Sequence, residues 1–342
     1  MNYIISTALP RSGTALLTSI LNNSEQVMMA VGPNIEIYRY QRNELIKKYG
    51  SKILKEKIDF FSPIQDCFGT TYKEELLNLI LNSNLNLKFS LKNWKSFLIR
   101  SSNRVDHDSS DLTKNFYLLK GRKFKDILKN LFYIIKITRK AEKRQIIGFN
   151  ESWNICSLPS IAKSFPEAKF VILIRDPRAI YAALEKNAVK RKELRVQLLS
   201  FARHFRKYVI LANLFLNKKE FKKKLMIIKY EDLILKTEKK TKKICKFLNI
   251  HYDKSMLDVK NLKDYGKNKK FVATSAFGLR FNSFDKRPLK NWEKYLHPLD
   301  VKTIEYLCTK ELESVGYKLK YKTSNNNKKI FQNLKKDYQK KV

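Results

Sequence analysis

Short apolar runs of strand length alternate along this chain with stretches whose apolar residues recur at helical spacing. Tyr3-Ile4-Ile5-Ser6-Thr7-Ala8-Leu9 is the first such run, and it stops at Pro10-Arg11-Ser12-Gly13, where proline and glycine mark a turn. From Thr14, residues Leu16, Leu17, Ile20 and Leu21 fall on one helical face, and the pattern dies in Asn22-Asn23-Ser24. The order strand, tight loop, helix recurs in mid-chain. Lys169-Phe170-Val171-Ile172-Leu173-Ile174 is a near-continuous apolar run, as in strands buried on both faces of a parallel sheet. Asp176 then offers an N-cap and Pro177 a first helical position before Ala179, Ile180, Ala183 and Leu184. Further strands are predicted at Ile146-Ile147-Gly148-Phe149 and Leu225-Met226-Ile227-Ile228, the latter followed by a helix carrying Ile244, Phe247 and Leu248. Strands alternating with helices predict an α/β fold, a parallel central sheet flanked by helices.

The remaining segments are less regular. Residues from about 50 to 140 hold weakly amphipathic helical patterns and a polar break from Ser101 to Ser110 that reads as a loop. Leu194, Leu198, Phe201, Phe205, Tyr208 and Ala212 trace one face of a long helix between Asn187 and Leu216, with a solvated basic face opposite. The segment from Lys318 to Val342 has 9 Lys and 1 Asp and no strong core pattern. It is expected to be a tail, leaving residues 1–317 as one domain. Apolar runs such as Leu131 to Ile135 fall well short of the roughly 20 residues of a membrane helix. The N-terminus lacks the basic flank and apolar length of a secretory signal, so a cytoplasmic protein is expected.

Charge changes the picture next. Lys and Arg total 71 against 32 Asp and Glu, a formal net charge of +39 over 342 residues. Nucleic acid, an anionic substrate or membrane, and a general lysine preference all fit that imbalance. Arginine accounts for only 16 of the 71, and the chain is also rich in Asn and Ile, which favours a compositional background. Cys67, Cys156, Cys245 and Cys308 are widely spaced, and no His stands at metal-ligand spacing, so no metal site is expected.

Two segments carry anion-binding chemistry. Pro10-Arg11-Ser12-Gly13-Thr14 joins a strand to a helix, where unpaired N–H groups and the helix dipole favour an anion and Gly13 permits close approach. It lacks the Gly-x-x-x-x-Gly-Lys-Ser/Thr spacing of a Walker A loop, which counts against an ATPase or GTPase. Arg175 stands at the carboxyl end of a predicted central strand, where ligands of open α/β sheets bind. Two anion sites at two strand ends predict one ligand bearing two phosphate groups.

With these residues in view, the sequence resembles the sulfotransferases that use 3′-phosphoadenosine 5′-phosphosulfate (PAPS). Pro10 to Thr14 is similar to their 5′-phosphosulfate loop, and Phe165 to Ala179 to their 3′-phosphate segment. Lys229-Tyr230-Glu231-Asp232-Leu233 resembles their tyrosine-bearing strand end, and Lys286 to Leu296 their basic loop before a tryptophan. The four segments follow the family's order across residues 3 to 297.

The resemblance implies a P-loop-like sulfotransferase fold with PAPS as donor and no metal. Arg11, Ser12, Gly13 and Thr14 would hold the 5′-phosphosulfate, with Arg11 also catalytic at the leaving oxygen. Arg175, Lys286 and Arg287 would bind the 3′-phosphate, and Tyr230 would lie against adenine. Glu36 is the candidate general base and Glu151 the second. The acceptor would be a hydroxyl of a carbohydrate or other metabolite, chosen by residues from about 50 to 140. Two departures stand out: Ala183 replaces a frequent serine, and Asn150 stands where the family often carries a catalytic lysine, leaving Arg178 or Lys290 as other sources of charge. Asn150 and Ala183 favour a second reading, a catalytically silent nucleotide or glycan binder. The charge favours a third, a basic protein of nucleic acid or membrane surfaces. On the leading reading no specific nucleic acid is a partner, and the basic tail would touch anionic membrane.

Overall fold

A computed structural model of the chain describes residues 2–33, 35–57, 71–88, 94–104, 107–152, 154–191, 197–266, 269–270, 273–274, 280–281, 284, 286–321, 330, 332 and 334. Five parallel strands form the central sheet: β1 (Asn2–Thr7), β2 (Val27–Val31), β3 (Ile146–Asn150), β4 (Lys169–Ile174) and β5 (Leu225–Lys229). The helices are α1 (Thr14–Asn22), α2 (Ile35–Tyr49), α3 (Lys52–Lys57), α4 (Thr71–Asn82), α5 (Trp94–Arg104), α6 (Phe124–Thr138) and α7 (Leu158–Ser164) in the first half. They continue as α8 (Pro177–Arg191), α9 (Leu198–Leu216), α10 (Tyr230–Leu235), α11 (Thr237–Leu248), α12 (Asn291–Tyr295) and α13 (Pro298–Ser314).

Because successive strand residues point to opposite faces, each strand feeds two cores. Ile5, Met28, Ile147, Phe170 and Ile172 pack with buried residues of α2, α6, α9 and α13. Their neighbours Ile4, Met29, Ile146, Val171 and Leu173 pack with Leu17, Ile20 and Leu21 of α1 and Ile244, Cys245 and Leu248 of α11. Burial on both faces explains the unbroken apolar run of β4. Among the described residues, no helix is long and apolar enough to cross a membrane.

Strand order is β2-β3-β1-β4-β5. The chain leaves β1 toward one edge, returns through β3, and then passes to β4 on the other side of β1. The crevice outside the carboxyl ends of β1 and β4 is therefore the point where the winding reverses, which is where open α/β sheets bind ligands. Thr7 of β1 pairs with Ile172 of β4, so the loops that follow these strands begin at nearly the same height.

Two expectations are corrected. The long helix between Asn187 and Leu216 is divided: Asn187 to Arg191 end α8, and α9 starts at Leu198. The polar stretch from Ser101 is helical at its start, as the end of α5, and from His107 it enters a 3₁₀ segment, His107–Leu118. Ser109 is wholly buried there and donates its hydroxyl to the Val31 carbonyl, so polar composition concealed a packed residue. Of the lysine-rich C-terminal segment, Lys320 and Tyr321 donate backbone N–H groups to Glu305 at 2.8 and 2.9 Å, and most of the rest lies outside the described residues.

Candidate active site

The loop after β1 is built from unusual backbone. Arg11 and Gly13 both have positive φ, 67° and 87°. Gly13 caps α1 without a side chain, and its carbonyl accepts from Leu17 N–H at 3.1 Å. Turns of this kind gather backbone N–H groups at a helix start, the arrangement that binds anions. Ser12 is buried, and its Oγ has no hydrogen-bond partner among the described residues. A buried hydroxyl without a partner costs free energy unless something else satisfies it.

Gly13 is also required by its neighbour. A Cβ added there would stand 2.2 Å from Cδ2 and Cε2 of Tyr230, at a φ that costs an L-residue about 1–2 kcal/mol. Gly13→Ala should therefore lower the thermal unfolding midpoint by a few degrees, read by circular dichroism. An unchanged midpoint would contradict the close packing of loop and ring.

Tyr230, the first residue of α10, is mostly buried and meets a second cation. The Arg175 guanidinium lies over its ring, 4.6 Å from the centroid. Burial raises the Tyr230 phenol pKa, while Arg175 pulls it down and Glu231 pushes it up. Arg175 itself leaves β4 directly into the crevice. Its Nη1 donates to the Arg11 carbonyl at 2.6 Å and its Nη2 to the Pro288 carbonyl at 3.3 Å. Its buried Nε has no partner among the described residues. One guanidinium thus joins the loop after β1, the end of β4 and the segment carrying the exposed Lys286 and Arg287.

This convergence, at residues far apart in the chain, accompanies a family match over most of the sequence. A family model described as "Sulfotransferase family" matches residues 4–254. The chain belongs to the sulfotransferase family. Among solved structures, it is similar to the sulfotransferase domain from the curacin biosynthetic pathway, at 14% identity and TM-score 0.51, over 92% of this chain and 98% of that one. The sulfotransferase domain of the Synechococcus PCC 7002 olefin synthase gives 16% identity and TM-score 0.49, over 93% and 96%. Mouse sulfotransferase SULT7A1, complexed with PAP, gives 14% and 0.41, over 100% and 89%. At such low identity the curacin-pathway match speaks to fold alone. No curated protein sequence matches.

Other candidate residues of this sulfotransferase stand at the same carboxyl end of the sheet. Glu36 opens α2 soon after β2, is nearly fully buried, and its Oε1 accepts from Arg39 Nη1 at 2.6 Å. Gly32 N–H, three residues past the middle of β2, bonds the Asn150 carbonyl at 2.8 Å, tying that turn to the end of β3. Asn150 is held from its side chain too, since Ser6 Oγ donates to its Oδ1 at 2.9 Å. Glu151 is buried next to it.

Arg178 is not available as a substitute cation. It donates from Nε and Nη2 to Asp176, bonds Glu305 from Nη1, and stacks 4.3 Å from the Trp292 ring centroid. Burial works against its charge, but Asp176 and Glu305 outweigh burial and its pKa is raised. Asp176 also caps α8 as expected, its Oδ1 accepting from Arg178 N–H at 2.9 Å. Glu305 and Tyr317 carry no signal in the sequence, and Glu231 stands there only as a neighbour of Tyr230. Glu231 Oε1 accepts from Asp176 N–H at 3.0 Å and its Oε2 from the Tyr317 hydroxyl at 2.6 Å.

Proposed function

We propose that the chain transfers the sulfuryl group of PAPS to a hydroxyl of a carbohydrate or other polyhydroxyl metabolite. The observation that carries this reading is the meeting of the Arg11 carbonyl, the Pro288 carbonyl and the Tyr230 ring around the Arg175 guanidinium, with Gly13 against that ring, at the reversal point of the sheet. The residues suit a doubly phosphorylated adenosine. Ser12 Oγ and Arg175 Nε are buried donors in need of an acceptor, which phosphate oxygens supply.

In this reading, the loop from Arg11 to Thr14 holds the 5′-phosphosulfate, and Arg11 neutralises charge on the oxygen bridging phosphorus and sulfur. Arg175, with Lys286 and Arg287, holds the 3′-phosphate, and Tyr230 lies against adenine. The acceptor oxygen attacks sulfur, the bond from sulfur to the bridging oxygen breaks, and adenosine 3′,5′-bisphosphate leaves. Glu36, whose Oε1 is held by Arg39, takes the acceptor proton on its carboxylate. As in phosphoryl transfer, the protein mainly positions groups and offsets developing charge.

Polar groups on the acceptor side support a sugar-like acceptor. Asn154 and Gln41 are almost fully buried, and both amide atoms of Asn154 and the Gln41 amide nitrogen lack partners among the described residues. Asn154 begins a 3₁₀ turn four residues after β3, and α2, which carries Gln41, packs against that turn. Hydroxyls of a polyol would satisfy these amides, whereas a purely apolar acceptor would leave them unmade.

The test is calorimetric titration with adenosine 3′,5′-bisphosphate, followed by incubation of PAPS with pools of glycans and of apolar alcohols and phenols. Micromolar binding and product release with the glycan pool are expected. No binding at millimolar ligand would overturn the donor assignment. Binding without release in any pool would favour a silent binder, consistent with the neutral Asn150.

A further inference from the structure

After α13 the chain reverses. Gly316 adopts φ 71°, and Tyr317 N–H returns to the Leu312 carbonyl at 2.9 Å, closing the helix end as a left-handed glycine cap does. The segment from 316 to 321 then runs back as a strap fastened at two places. At the first, the Tyr317 hydroxyl donates to Glu231 Oε2 at 2.6 Å, and Lys229 Nζ both donates to the Gly316 carbonyl at 3.1 Å and sits 4.0 Å from the Tyr317 ring centroid. At the second, Glu305 accepts the backbone N–H groups of Lys320 and Tyr321 while also bonding Arg178.

Both fastenings lead to the donor arginine. Glu231 follows Tyr230, whose ring lies beneath the Arg175 guanidinium, and its other oxygen holds the N–H of Asp176, the residue after Arg175. Arg178, held by Glu305, is locked on Asp176 from the far side and stacks on Trp292, downstream of Pro288. Arg175 is thus gripped through the residue that follows it, the ring beneath it and the carbonyl beside it.

We infer that Tyr317 and Glu231 are positioning residues for Arg175, so that the strap after α13 sets affinity for the 3′-phosphate without touching it. Glu231 is partly buried beside Asp176 and accepts from the Tyr317 hydroxyl and the Asp176 N–H. Removing the hydroxyl leaves a partly buried carboxylate short of a donor, and the carboxylate then shifts toward other donors at the expense of its grip on Asp176. The inference rests on the assignment of Arg175 to the 3′-phosphate.

Tyr317→Phe in the full chain tests it by calorimetry with two probes, adenosine 3′,5′-bisphosphate and adenosine 5′-monophosphate. The Kd for the bisphosphate should rise about tenfold, the size expected when one hydrogen bond to a charged group is lost. The Kd for the monophosphate, which cannot use Arg175, should stay within twofold of wild type. Glu231→Gln, which keeps an acceptor for Asp176 N–H and a partner for the Tyr317 hydroxyl, should retain most of the wild-type affinity for the bisphosphate, as a positioning role through these two bonds requires. Equal losses for both probes, or wild-type affinity for the bisphosphate in Tyr317→Phe, would overturn the inference. Failure of the wild-type chain to discriminate between the two probes would instead overturn the assignment of Arg175, and the inference with it.

Discussion

Arg175→Ala is expected to raise the Kd for adenosine 3′,5′-bisphosphate at least a hundredfold. A guanidinium offers five N–H donors in a rigid fork, and a phosphate bound by two of them gains two charge-assisted bonds of about 1.5–3 kcal/mol each. The lower bound of that sum, about 3 kcal/mol, corresponds to roughly two decades of affinity. Alanine also removes the bonds to the Arg11 and Pro288 carbonyls, so both neighbouring loops lose their common anchor. Arg175→Lys should recover part of the loss, because the charge remains while the fork and the stacking on Tyr230 do not. Titration calorimetry below the melting range measures the effect. Affinity within threefold of wild type in Arg175→Ala would show that the phosphate binds elsewhere.

The second large effect concerns turnover. Glu36→Gln should lower kcat by about 10²- to 10⁴-fold, the usual contribution of a positioned general base. Glutamine is the informative replacement because its carbonyl still accepts from Arg39, so the buried guanidinium keeps a partner and the start of α2 keeps its fold. Bisphosphate affinity should then be unchanged, since the proposed mechanism places Glu36 on the acceptor side. Steady-state release of bisphosphate from PAPS at saturating acceptor measures the change. Wild-type kcat would remove Glu36 from the mechanism and transfer attention to Glu151.

Much of the donor side was legible in the sequence. β1, β4 and β5 announce themselves as compact apolar runs, and Pro10 to Gly13 and Asp176-Pro177 punctuate them. Turn chemistry and the double burial of parallel strands are local facts, so local reading suffices. Where burial breaks the expected polarity, it fails. β2 escaped because Val27–Val31 is five residues of unbroken apolar character with nothing to separate strand from buried helix. α13 escaped because Thr303, Glu305 and Glu311 are buried on it, which blurs its amphipathic stripe. Glu305 is buried because Arg178 and two backbone N–H groups satisfy it, partners that no window of sequence displays together. The overlong helix before Leu216 has the opposite cause. Apolar spacing continues from Leu194 into α9, and periodicity alone registers no interruption between α8 and α9.

The strap adds a constraint of timing. Arg11 and Arg175 are separated by 164 positions, Arg178 and Glu305 by 127, and Glu231 and Tyr317 by 86. Translation releases the loop after β1 well before the strap, and such distant pairings close late in folding. A chain stalled before Val315 would already own every strand of the sheet and every residue assigned to the nucleotide. It would still lack the Tyr317 hydroxyl that fastens Glu231, and through it the residue after Arg175. If Arg175 binds the 3′-phosphate as proposed, full affinity is reached only once the strap has docked.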